Sequence, residues 1–161
     1  DVLGSRGLGD VYKRQTQNQT VIMVQFLKGA IDPRNMEVIK RLEPEFKLFR
    51  FEKTSTAFDQ LSDEEKDEAR ASIRNGLNFA RKVLTTGECD ILILDEILGI
   101  LDEGIISLDE LAGLIAHARQ METKLVLTGT VYPAGLDAYV DEVTRIQTRY
   151  EEGGSENTVT C

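Results

Sequence analysis

The residues with the most definite chemistry are Asp95 and Glu96, which follow four branched aliphatics, Ile91-Leu92-Ile93-Leu94. A buried strand fixes its carboxyl end rigidly, and a carboxylate placed there can hold Mg2+ directly or through water. The same segment also describes a strand that merely ends in solvated acids, and taken alone it leaves both readings open. Phe49 and Phe51 lie two residues apart. In a strand that spacing puts both rings on one side, either as core packing or as a platform for a large flat ligand. Lys28 follows the β-prone run Val21-Ile22-Met23-Val24-Gln25-Phe26, where its ammonium meets either a phosphate or solvent. His117 has no partner at metal-ligand spacing and Cys89 has no cysteine nearby, so both read as structural residues.

An aliphatic strand ending in acids has the form of a Walker B segment, and such a segment works with a phosphate-binding loop. Gly4-Ser5-Arg6-Gly7-Leu8-Gly9 has the G-x-x-x-x-G spacing, but Asp10 and Val11 stand where Lys and Ser or Thr belong. Lys would reach the phosphates and a hydroxyl would ligate Mg2+; Asp10 would repel the phosphates and Val11 ligates nothing. Only 11 residues, Asp10 to Thr20, separate Gly9 from the strand at Val21. A crossover between parallel strands needs about a dozen or more residues. The glycine spacing is therefore read as chance.

The elements that must position these groups follow from periodicity. Val21–Phe26, Ile91–Leu94 and Lys124–Thr128 are continuous apolar runs, the pattern of strands buried on both faces of a parallel sheet. Leu48–Phe51 reads as a further short strand, and residues 34–42 and 133–140 as short helices. Ser62-Asp63-Glu64-Glu65 is a capping box opening a helix to about Leu84. Its apolar stripe runs Ala69, Ile73, Leu77, Ala80, Leu84, and Gly87 ends it. Ser107-Leu108-Asp109-Glu110 opens a second helix to about residue 119, and residues 142–148 alternate as an edge strand would. Strands alternating with helices at this spacing predict an α/β fold with a mainly parallel sheet and helices on both faces. Ligands in such sheets bind beyond the carboxyl ends of the strands. Attention therefore falls on Gln25 to Gly29, Asp95-Glu96 and Thr128 to Thr130.

The 161 residues suit a single domain, with residues 1–20 read as a disordered or non-native leader, 21–150 as the folded unit and 151–161 as a flexible, frayed tail. A formal net charge of −9 disfavours nucleic acid as a partner. No apolar run approaches the roughly 20 residues of a membrane span, and no charged-then-apolar leader resembles a signal peptide. Two cysteines make no disulfide framework, which points to a reduced, cytoplasmic setting.

Read in order, Val24-Gln25-Phe26-Leu27-Lys28-Gly29, Leu48-Phe49-Arg50-Phe51, Gly87-Glu88-Cys89-Asp90-Ile91-Leu92-Ile93-Leu94-Asp95-Glu96 and Leu127-Thr128-Gly129 resemble the P-loop type of ATP:corrinoid adenosyltransferases. The segment Tyr139-Val140-Asp141-Glu142-Val143-Thr144 extends the likeness, which covers about residues 21–150. The resemblance implies a RecA-like, P-loop NTPase-type sheet. It also implies transfer of the 5′-deoxyadenosyl group from ATP to the Co(I) of a corrinoid, with release of triphosphate, in cobalamin biosynthesis or salvage. On this reading the cofactor chemistry belongs to the corrinoid, while the protein positions ATP and Mg2+. Glu96 is then the Mg2+ ligand, supported by Asp95. Phe49 and Phe51 lie against the corrin, and Gln25, Lys28, Thr128 and Gly129 line the nucleotide edge. A homodimer and a flavoprotein reductase as electron donor are also implied.

Two departures from the family pattern stand out. The G-x-x-x-x-G-K-[ST] loop and its helix are absent ahead of Val21, which makes the chain read as an amino-truncated member lacking its first strand, loop and helix. Thr130 stands where the family has arginine after Thr-Gly. Both departures remove positive charge from a triphosphate site. The rival expectations are a non-catalytic protein that binds a corrinoid or a partner chain, and a RecA-like ATPase in which Glu96 orients water.

Overall fold

A computed structural model of the chain describes residues 19–26, 33–51, 56–146 and 156–160. Six strands form one sheet: β1 (Val21–Gln25), β2 (Phe46–Arg50), β3 (Ile91–Asp95), β4 (Lys124–Gly129), β5 (Glu142–Ile146) and β6 (Glu156–Thr160). Their order across the sheet is β2-β1-β3-β4-β6-β5. The first four run parallel, while β6 is antiparallel to both β4 and β5. The helices are α1 (Pro33–Arg41), α2 (Asp63–Thr86), α3 (Ile97–Asp102) and α4 (Leu108–Gln120).

All five residues of β1 and of β3 are buried, as continuous apolar runs require of strands covered on both faces. On one face Ile22, Val24, Leu92, Leu94, Leu125 and Leu127 meet α2, α3 and α4 in the main core. On the other, Val21, Met23, Ile91, Ile93 and Val126 pack with Ile39 of α1 and with Phe46. Two-residue alternation thus sorts each strand between two cores.

The helix boundaries follow the caps. In α2 the Ser62 Oγ accepts from the Glu65 N–H at 3.3 Å while Glu65 Oε2 accepts from the Ser62 N–H at 2.8 Å. Every residue of the expected stripe is buried, and Gly87, at φ 67°, closes the helix in the left-handed region where glycine carries no steric penalty. Ser107 and Glu110 repeat the reciprocal cap at α4.

Three expectations need correction. Residues 133–140 do not form a helix: Pro133 and Gly135, the latter at φ 87°, leave only a 3-10 turn at Leu136–Ala138. The short helix α3 follows Glu96 directly, where no helix was expected. The polar tail does not simply fray, because Glu156–Thr160 pairs on both sides as β6, with Val159, fully buried, opposite Leu127 and Val143. Its ladder hydrogen bonds, rather than an apolar pattern, hold it in the sheet. β5 lies at the sheet edge, as its alternation predicted. The leader through residue 18 and the tail segment 147–155 lie outside the described residues.

Candidate active site at the carboxyl edge of the sheet

Above the apolar levels of the four parallel strands, one level is polar throughout. Register places Arg50 and Asp95 on either side of Gln25, and Leu94 opposite Leu127 puts Thr128 next to Asp95. The row therefore reads Arg50, Gln25, Asp95, Thr128 across β2, β1, β3 and β4. Gln25 Oε1 accepts from Arg50 Nε at 3.2 Å. The Thr128 hydroxyl donates to Asp95 Oδ1 at 2.6 Å, with both residues essentially inaccessible to solvent. A buried polar group without a hydrogen-bond partner is costly; this pairing satisfies Asp95 Oδ1, while Oδ2 is buried with no hydrogen-bond partner among the described residues.

Glu96 is the turning point. Its backbone lies in the left-handed region, φ 67° and ψ 14°, which costs an L-residue roughly 1–2 kcal/mol. The residues on either side leave it little choice: Asp95 is pinned in the sheet and Ile97 is fully buried at the start of α3. The Glu96 N–H donates to the same Thr128 hydroxyl at 3.0 Å. The residue is partly accessible, and its carboxylate lies over Gly99, with Oε2 3.9 Å from where a Cβ on that glycine would sit. Strained conformations of this kind concentrate at functional sites. Gly129 closes the other side: a Cβ there would meet Leu98 Cβ at 2.6 Å, so only glycine lets β4 end this close to α3.

Phe49 and Phe51 share the face of the main core and both pack on Phe79 of α2, with ring centroids 4.5 Å and 5.5 Å away. Both rings keep part of their surface accessible. Gly76, one turn before Phe79, makes the room: a Cβ there would lie 2.5 Å from Phe26 Cε1 and 3.0 Å from Phe51 Cγ. The backbone ties this platform to the polar row, because the Phe51 N–H donates to the Gln25 carbonyl and the Phe26 N–H to the Asp95 carbonyl, each at 3.1 Å.

The structure thus brings Gln25, Asp95, Glu96, Thr128 and Gly129 to one sheet edge, with Phe49 on β2 and Phe51 just past its end. Lys28 and the Gly4–Gly9 segment lie outside the described residues. Sequence reasoning missed Arg50, whose signal was its place between two phenylalanines, and Phe79 and Gly76, which flank the helix stripe. His117 lies on the surface with Nε2 3.5 Å from Thr85 Oγ1. Burial pushes the Cys89 thiol up to about 12, so it stays protonated and unreactive at neutral pH. Among the described residues no three His, Cys, Asp or Glu side chains gather as a metal cluster, and no helix is long and apolar enough to cross a membrane.

Fold and edge together define an α/β protein with paired acids at the carboxyl end of a mainly parallel sheet. The chain belongs to the family of ATP:corrinoid adenosyltransferases described as BtuR/CobO/CobP, whose family model matches residues 4–155. The family's substrates are ATP and a corrinoid, and its members are transferases. No curated protein matches the chain. Among solved structures, the crystal structure of TrmN from Thermus thermophilus is similar at 14% identity and a TM-score of 0.42, over 98% of this chain and 49% of that one. The chain thus spans about half the length of that protein.

Proposed function

We propose that this site transfers the 5′-deoxyadenosyl group of ATP to the Co(I) of a corrinoid, in cobalamin biosynthesis or salvage. A Co–C bond forms at the 5′ carbon, the C–O bond to the phosphate chain breaks, and triphosphate leaves with the bonding electron pair. The observation that carries the reading is Glu96: a carboxylate on a partly accessible residue in a left-handed turn, seated on the buried Asp95–Thr128 pair, one strand away from β1 and two from an aromatic platform. Hard carboxylate oxygens suit Mg2+, which is commonly held by one or two carboxylates together with substrate phosphates and water. When bound, Mg2+ neutralises charge on the departing triphosphate. Glu96 is the direct ligand, and Asp95, buried and hydrogen-bonded, supports the turn from behind.

Gln25, Lys28, Thr128 and Gly129 form the nucleotide edge, and Phe49 and Phe51 meet the corrin. Homodimer formation, a cytoplasmic setting and electron supply by a flavoprotein reductase belong to the same proposal, supported by the family resemblance. No G-x-x-x-x-G-K-[ST] stretch occurs in the 161 residues, so the proposal includes a need for phosphate-binding groups beyond those at this edge. The test is product analysis with MgATP and chemically reduced corrinoid, on a version that carries a G-x-x-x-x-G-K-T loop and helix ahead of Val21. Triphosphate and adenosylcorrinoid in equal amounts, lost in Glu96→Gln, support it. Orthophosphate release would point instead to an ATPase, and corrinoid binding with no nucleotide effect to a binding protein.

A further inference from the structure

We propose that Thr128 is a positioning residue that sets the direction of the Glu96 carboxylate from the neighbouring strand. The inference rests on the reading of Glu96 as the carboxylate that meets the nucleotide's Mg2+, and it gives Thr128 a further role at that edge, that of holding the Glu96 turn. A hydroxyl is both donor and acceptor, and here both capacities are used. Oγ1 donates to Asp95 Oδ1 at 2.6 Å and accepts from the Glu96 N–H at 3.0 Å. The donor bond fixes the rotor, so the lone pair that receives the Glu96 amide points one way. The amide in turn fixes the peptide that enters the left-handed residue, φ 67° and ψ 14°, and therefore the direction in which the Glu96 side chain leaves the chain.

The residue type itself does not favour that conformation. The residue is neither glycine nor asparagine, and its side chain makes no capping hydrogen bond to α3. β4 holds it from across the sheet: Thr128 is 1% exposed, and Gly129 beside it closes on Leu98 and Gly99 of α3. The carboxylate is thus aimed by a residue 32 positions away in sequence.

Thr128→Val keeps the shape and removes both bonds; Thr128→Ser keeps the hydroxyl. The full chain is measured in two ways. Amide hydrogen exchange at Glu96, without ligand, should quicken about fivefold or more in the valine variant, the effect of one hydrogen bond of ordinary net strength, and stay near wild type in the serine variant. Binding of Mn2+ alone, followed by electron paramagnetic resonance, should weaken in the valine variant and recover in the serine variant. Unchanged exchange in Thr128→Val overturns the proposal. Faster exchange with unchanged Mn2+ binding also overturns it, since Thr128 would then be merely structural. Glu96→Gln with Mn2+ binding equal to wild type overturns the reading of Glu96 itself, and the positioning role with it.

Discussion

The ring of Phe79 on α2 packs on that of Phe49 on β2 with centroids 4.5 Å apart and planes tilted by 46°. The platform is therefore braced by a helix, and its two rings are not free to turn on the strand. Phe79→Ala should lower stability by about 1–3 kcal/mol, less than the roughly 3–5 kcal/mol of a fully buried phenylalanine because part of the ring is accessible. It should also weaken corrinoid binding more than ATP binding. Denaturant titration and ligand titrations check both, and equal losses for the two ligands would contradict the bracing role.

Glu96 trades stability for geometry. Its left-handed backbone costs roughly 1–2 kcal/mol, whereas glycine loses about 0.5–1 kcal/mol of chain entropy on folding. Glu96→Gly should thus gain between about 0 and 1.5 kcal/mol, and in a version carrying a G-x-x-x-x-G-K-T loop and helix it should abolish adenosyl transfer. Thermal melting beside an activity assay decides the matter; a fall in melting temperature would show that the turn is not strained.

Gly129 has the opposite sign. A Cβ 2.6 Å from Leu98 Cβ forces β4 away from α3, and overpacking of this kind costs typically 1–3 kcal/mol. Gly129→Ala should lower the melting temperature by about 2–4 °C for each kcal/mol lost. A melting curve identical to wild type would mean that the junction gives way at no cost.

The pH dependence is set at two ends. Burial raises the Cys89 thiol to about 12 from its ordinary 9.0, so between these values the unfolded chain loses a proton that the folded chain keeps. The associated stability is complete below about pH 9 and is lost as pH rises toward 12. At the acid end, Arg74 and then the Ser107 cap hold Glu110 below its usual value, and the Ser62 cap lowers Glu65. Their contributions are present above the ordinary glutamate range and fade as pH falls below it. Cys89→Ala should flatten the alkaline limb of a stability–pH curve; an unaltered limb would assign it to other groups.

Much of the fold was legible because its signals are local. Ser62 and Ser107 announce their helices through Glu65 and Glu110, and the continuous aliphatic runs identify β1, β3 and β4 as interior strands. β6 was not legible: Glu156-Asn157-Thr158-Val159-Thr160 has one strongly apolar residue, and its place depends on ladder bonds to β4 and β5. At the site, Asp95 and Glu96 were readable from their position after an aliphatic run, and Phe49 and Phe51 from their two-residue spacing. The left-handed turn at Glu96, the Thr128 hydroxyl that holds it, and the room that Gly76 makes for Phe26 and Phe51 are relations between segments far apart in sequence. No local pattern encodes them.

The central claim is that this sheet edge performs adenosyl transfer once phosphate-binding groups accompany it. The most direct measurement follows the absorbance of Co(I) corrinoid as it is consumed with MgATP. It compares the chain itself with a version carrying a G-x-x-x-x-G-K-T loop and helix ahead of Val21. The account predicts adenosylcorrinoid and triphosphate from the loop-bearing version only, and neither when it also carries Glu96→Gln. Failure of both chains to form adenosylcorrinoid, or formation that persists in Glu96→Gln, would contradict it.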